Sequence, residues 1–169
     1  MWGRLIEYIT EYEMKKEQSV PKYFNPKAAK RKKNQMPYSL REQYVHEFQK
    51  AMEQDIEVPY SLNLLNFRMS LIREEMKEFE TAVGAAEYDL LKKSSLTVQT
   101  KADILKELCD LLYVLSGFAV TFGLSVQPAF NRVHASNMSK LENGKPQKDD
   151  WGKVQKGDNY KPPKMEDLV

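Results

Sequence analysis

The 169 residues, 19.7 kDa in mass, suit one domain with a real core and are too few for two. With 41% hydrophobic and 30% charged residues the chain is not disordered throughout, and a formal net charge of only +2 excludes a global attraction to nucleic acid or anionic membrane, so any such preference has to be local. A single cysteine, Cys109, permits no internal disulfide and offers no cysteine zinc pattern; together with the lack of a membrane-length apolar run and the charged residues Arg4, Glu7, Glu11 and Glu13 near the start, this points to a cytoplasmic protein with no membrane partner.

In chain order, Leu5, Ile6 and Ile9 have near-helical spacing, in a segment too short to stand as a helix without a partner surface. Lys22, Lys27, Lys30, Arg31, Lys32 and Lys33 follow without an acidic residue between Pro21 and Pro37, which marks a basic linker. Residues 1–37 are therefore assigned to an N-terminal extension, 38–142 to a helical domain and 143–169 to an extended basic tail that closes on the site. Ser39 and Glu42 have capping-box spacing, so a first helix is expected from Ser39 to about Gln54. After Pro59, Ser61 can cap a second helix in which Leu65, Met69, Ile72, Met76, Phe79 and Val83 form a packing stripe.

Ala86 to Val98 is expected to be a connector, and Thr100 with Asp103 resembles the next helix start. From Ile104 to Phe122 apolar residues cover nearly every face, which places this third helix in the middle of the bundle. Gly123 should end it, and Ser125 with Pro128 should open a fourth helix through about Leu141. Glycines and prolines in the stretch from Asn143 onward prevent a long helix. The fold class expected is all-α, with the second and third helices antiparallel.

Glu75 and Glu78 share one flank of the second helix, since each residue turns it by about 100°. Glu107 and Asp110 have the same spacing on the third helix, among Leu105, Leu108, Leu111 and Leu112. A carboxylate on a helix that is apolar all round must be desolvated, at several kcal/mol unless paired or metal-bound. Lys106 is the one basic residue nearby in sequence, and the acids of a neighbouring helix would worsen the repulsion. A hard divalent cation resolves both problems, and clustered oxygens without histidine or thiolate match magnesium and not zinc, with manganese able to substitute. Two ordinary acidic faces reaching solvent or lysines remain the alternative.

Glu75-x-x-Glu78 followed by Glu107-x-x-Asp110 on successive helices resembles the signature of the all-α nucleotide pyrophosphohydrolase superfamily, which includes MazG-like proteins, dimeric dUTPases and phosphoribosyl-ATP pyrophosphohydrolases. The likeness continues through Asn137-x-x-Lys140 and a Lys-Val-x-Lys-Gly-x-Asn-Tyr-x-Pro-Pro tail from Lys153 to Pro163, and covers roughly Ser39 to Pro163. It implies a four-helix core of the MazG-like type completed by oligomerisation, as a homodimer or tetramer. It implies that Glu75, Glu78, Glu107 and Asp110 coordinate Mg2+, that Glu74 or Glu75 helps position or deprotonate the attacking water, and that Asn137, Lys140, Lys153, Lys156 and Tyr160 meet the substrate. The implied reaction cleaves a (deoxy)nucleoside triphosphate to monophosphate and pyrophosphate; a phosphoribosyl-ATP pyrophosphohydrolase or dUTPase is the alternative within the class. Outside it stands a nucleic-acid-associated protein binding locally through Lys22 to Lys33, with the acidic cluster only structural.

Several residues have a plainer reading. Tyr113 is expected in the core more than stacked on a base, His134 as a surface or satisfied histidine, and Cys109 as packed and unreactive. Phe48 and Gln49 on the first helix can shape a base pocket or simply fill the core.

Overall fold

The computed structural model describes residues 38–169. The N-terminal expectations, the short apolar segment and the basic linker from Lys22 to Lys33, lie outside the described residues. The first helix, α1 (Leu40–Ala51), starts where the capping box predicts: the Ser39 amide donates to Glu42 Oε2 at 2.8 Å and the Glu42 amide donates to Ser39 Oγ at 3.3 Å. Such a cap stabilises a helix start by about 1 kcal/mol.

The second helix, α2 (Leu62–Lys93), is capped by Ser61 as expected but is far longer, 32 residues in one run. The connector expected from Ala86 is helical through Lys93, because Gly84 is a tolerable loss of about 1 kcal/mol in a helix otherwise rich in good formers. The third helix, α3 (Val98–Thr121), begins earlier than Thr100 because the Thr97 hydroxyl accepts the Thr100 amide at 3.0 Å and so caps the first turn. Its end is the expected one: Gly123 follows with φ +66, a left-handed conformation that glycine adopts without strain. The fourth helix, α4 (Val126–Met138), is also where predicted, though Ser125 makes no side-chain cap bond. Among the described residues the fold is all-α, built on these four helices.

α3 is the central element, with both α1 and α2 packed against it. The linker between α1 and α2 lies along the end of α3, donating from Glu57 N and Val58 N to Val120 O and Thr121 O at 3.1 and 2.9 Å. Tyr60 stacks on Phe122 there with ring centres 4.4 Å apart. Val45, Leu111, Val114, Ala119 and Val120 fill the core. Into it is set a polar knot: Gln49 and Arg68 are buried, and the Gln49 side-chain amide, oriented with its oxygen toward them, accepts from Thr121 Oγ1 at 2.9 Å and from the Arg68 guanidinium. Arg68 also donates to Gln54 at 3.3 Å. Gln49 is thus a core residue and not an open pocket wall; Phe48, edge-on to Tyr113 at 5.5 Å, belongs to the same packing.

Two expectations about packing need correction. The most buried residues of α2 are Arg68, Glu75, Ala82, Ala86 and Asp89, beside the expected stripe, of which Leu65, Met69, Ile72, Phe79 and Val83 are half-buried and only Met76 is exposed. Likewise α3 is central but not enclosed, because α1 and α2 cover only part of its circumference: Leu105, Leu108 and Leu115 are 62%, 39% and 45% exposed. α4 turns from the axis of α3 by 116°. No single described helix is long and apolar enough to cross a membrane.

The tail is more structured than its composition suggests. A hairpin of β1 (Leu141–Glu142) and β2 (Lys145–Pro146) turns through Asn143 and Gly144. Asp149 then accepts from the amides of Trp151 and Lys153, and Glu142 Oε1 accepts the Asp158 amide at 2.9 Å beside Gly157, where a Cβ would run into that carboxylate. Ser139 Oγ accepts the Lys161 amide at 2.8 Å, and Arg132 on α4 forks onto Asp167 while also donating to Lys164 O. The last residues are tied to α4 by side chains that composition alone does not pair.

Candidate active site

α2 and α3 run side by side after a four-residue connection, Ser94 to Thr97, which makes them antiparallel and sets the middle of one against the middle of the other. That register places Glu75, Glu78 and Glu107 together, with one carboxylate oxygen from each within 4.8 Å of the others. The three differ in burial: Glu75 is buried, Glu107 intermediate and Glu78 exposed. Asp110, the fourth acid, is not within that triangle but is close enough for its charge to act on Glu75.

Glu75 is the group under most electrostatic stress. It is 7% exposed and carries no hydrogen bond among the described residues. Burial first, and then the charges of Glu78, Asp110 and Glu74, push its carboxyl up to about 7, with Lys106 partly offsetting them. This reverses the order expected from the sequence, in which Glu107 and Asp110 were the costly acids. With one face of α3 open, those two reach a lysine: Lys106 Nζ donates to both Glu107 oxygens at 3.0 Å and to Asp110 Oδ2 at 2.9 Å. The hydrogen bond to Asp110 first, and the other contacts with both acids, raise the Lys106 ammonium above its ordinary value. Lys106, the one basic residue near them in sequence, thus pairs with both acids, as the alternative of lysine-paired acids allows. Its i,i+4 spacing to Asp110 was the available signal.

The donor set fits a hard divalent cation. Three carboxylates from two helices offer oxygens at mutual distances a single ion can span, one of them a buried acid whose ionised form lacks a partner. Histidine and thiolate are not among them, so zinc or copper chemistry is not favoured.

The remaining expected residues lie on other elements. Glu74 is exposed on the turn carrying Glu75, a position from which it can reach water beside the cluster. Asn137 and Lys140, at the end of α4, bond each other, Lys140 Nζ to Asn137 Oδ1 at 2.8 Å. In the tail, the Lys153 backbone pairs with Asp149 and the Lys156 ammonium lies 4.6 Å from the Tyr160 ring centre. None of the described hydrogen bonds or ion pairs joins these five to the acids.

Tyr113 is half-buried, and burial pushes its hydroxyl up to about 12, the behaviour of a packed ring. His134 is exposed. Cys109 is exposed as well, contrary to the expected packing, because it lies on the open face of α3 with Leu105 and Leu108.

Comparison with known proteins accounts for this arrangement. No curated protein matches the chain. The family model described as phosphoribosyl-ATP pyrophosphohydrolase matches residues 42–137, a span that runs from the first turn of α1 into the last turn of α4 and holds every acid of the cluster but stops short of the tail. The matched span is more than half the sequence, and the paired acids sit on neighbouring helices as the motif resemblance implies. The chain therefore belongs to the phosphoribosyl-ATP pyrophosphohydrolase family, within the all-α MazG-like nucleotide pyrophosphohydrolase superfamily.

Proposed function

We propose that this nucleotide pyrophosphohydrolase acts on a nucleoside triphosphate, releasing the monophosphate and pyrophosphate, with Mg2+ held by Glu75, Glu78, Glu107 and Asp110. The observation that carries the reading is the meeting of the Glu75, Glu78 and Glu107 oxygens across α2 and α3. A bound divalent cation would offset the substrate's negative charge and make water more acidic. In the reaction the oxygen of water adds to the α-phosphorus, the bond from that phosphorus to the bridging oxygen breaks, and pyrophosphate departs. The proton lost by water passes to a carboxylate. Glu75, among the metal-holding acids, and Glu74, exposed on the turn beside it, are the candidates for that role.

The tail and the end of α4 would supply the opposite charge. Lys140, Lys153 and Lys156, with Asn137 and Tyr160, are the groups suited to meet phosphate oxygens. The open line of Leu105, Leu108 and Leu115, with Met76 also exposed on α2, supports self-association as a dimer or a tetramer, since a monomer would leave that apolar surface in water.

A second reading has one observation in its favour: the matching family is described by its action on phosphoribosyl-ATP, a substrate cleaved at the same bond. A panel of ribo- and deoxynucleoside triphosphates and phosphoribosyl-ATP, assayed with Mg2+ while resolving pyrophosphate from orthophosphate, separates the two. Pyrophosphate from triphosphates is expected, with Glu107→Gln inactive. Orthophosphate as the sole product, or full turnover by that variant, would overturn the reaction.

A further inference from the structure

We propose that Lys106 is a tethered counter-ion of the acidic site, holding the Glu107 and Asp110 carboxylates together before a divalent cation enters and giving up those oxygens when it does. The inference rests on the metal-site reading above and adds a residue to it. Lys106 Nζ donates to both oxygens of Glu107 and to one of Asp110, at 2.9 to 3.0 Å. Glu107 is also one of the three acids whose oxygens converge, so the ammonium and a metal ion need the same acceptor.

Helix geometry by itself does not hold the lysine there. Adjacent residues on a helix point about 100° apart, and a lysine placed four residues before an acid is the weaker order of such a pair. What holds the ammonium there is the pair of carboxylates it bonds, Asp110 and Glu107, with Glu75 close enough for the two charges to act on each other. The side chain is 48% exposed, so its stem can swing into water when the carboxylates are claimed. A divalent ion and an ammonium cannot both sit at contact distance on one carboxylate without mutual repulsion, and the ion carries twice the charge. Lys106 therefore lowers the repulsion among the acids in the metal-free protein and competes with the metal.

The test is Mn2+ binding by the full-length protein, measured by electron paramagnetic resonance and calorimetry, beside thermal unfolding in EDTA. Lys106→Met is compared with wild type and with Lys106→Arg, and Lys106→Gln is the second neutral variant should the methionine one fail to fold. Removing a unit charge a few ångströms from a divalent ion should tighten Mn2+ binding about three- to tenfold, while the melting temperature in EDTA falls. The arginine variant should stay within about twofold of wild type, since the charge is kept. Equal or weaker binding by the neutral variant, with wild type binding normally, would overturn the counter-ion role alone. Failure of wild type and neutral variant alike to bind Mn2+ would overturn the metal site and, with it, this role.

Discussion

Two acids on one face of one helix meet opposite fates. Glu75 and Asp89 lie on the same buried line of α2, fourteen residues and so about 21 Å apart along the axis, and each is 7% exposed. Asp89 is satisfied: Oδ1 accepts from Lys93 at 2.8 Å and Oδ2 from the Thr100 hydroxyl at 2.5 Å, and these hydrogen bonds hold its carboxyl below the ordinary range. Glu75 has acids for neighbours and is pushed up to about 7. The exposed fraction is the same in both cases, so exposure alone does not distinguish a structural carboxylate from a working one. The company each oxygen keeps does.

That contrast can be broken by substitution. The largest effect expected is at Glu75→Gln, which removes a ligand and a proton acceptor together: pyrophosphate release should fall by about 10²- to 10⁴-fold, while the melting temperature in EDTA holds or rises because a strained charge is gone. A melting temperature that dropped as far as activity would mark Glu75 as structural. The equivalent change at the other end, Asp89→Asn, should do the reverse, lowering the melting temperature by a few degrees while the folded enzyme keeps its turnover. Thr100→Val, which removes only the hydroxyl, should show a smaller version of that loss, about 1 kcal/mol from a denaturant titration.

The pH dependence sharpens the same contrast. Because Glu75 in the folded chain takes up protons more readily than an ordinary glutamate, the folded state binds more protons than the unfolded one between about 4.5 and about 7. Its contribution makes metal-free stability decline as pH rises through that window. A divalent ion favours the ionised form, so the gain in melting temperature on adding Mg2+ should grow over the same interval. A gain independent of pH would place the ion elsewhere. The Asp89 contribution runs the other way, present at neutral pH and lost only as pH falls below the usual carboxylate range.

Three of the four acids that the sequence pairs, Glu75, Glu78 and Glu107, meet in the structure, because three-residue spacing on consecutive apolar helices survives most details of packing. Their ranking was not legible in the sequence. It depended on which arc of α3 is covered by α1 and α2, and an all-round apolar helix such as the stretch around Leu105, Leu108 and Leu115 gives no sign of which arc stays open. The start of α3 was missed by one short turn because Thr97 and Thr100 are equally good caps on paper, and the bond to Asp89 uses Thr100 from inside the helix. In the tail, glycine and proline ruled out a helix correctly, but the order supplied by Glu142, Asp149 and Arg132 comes from side chains reaching up to 35 residues along the chain, beyond any local pattern.

The polar knot far from the acids has a bearing on them. Sliding α2 along α3 by one turn would move the Arg68 guanidinium about 5 Å from Gln49 and Gln54 and strand a buried cation without its acceptors. The apolar residues of a seven-residue repeat tolerate such a slip far better than a charged group does. Arg68 thus works as an index pin: it locks the two helices at one setting, and Glu75, two turns further on, arrives level with Glu107 because of it.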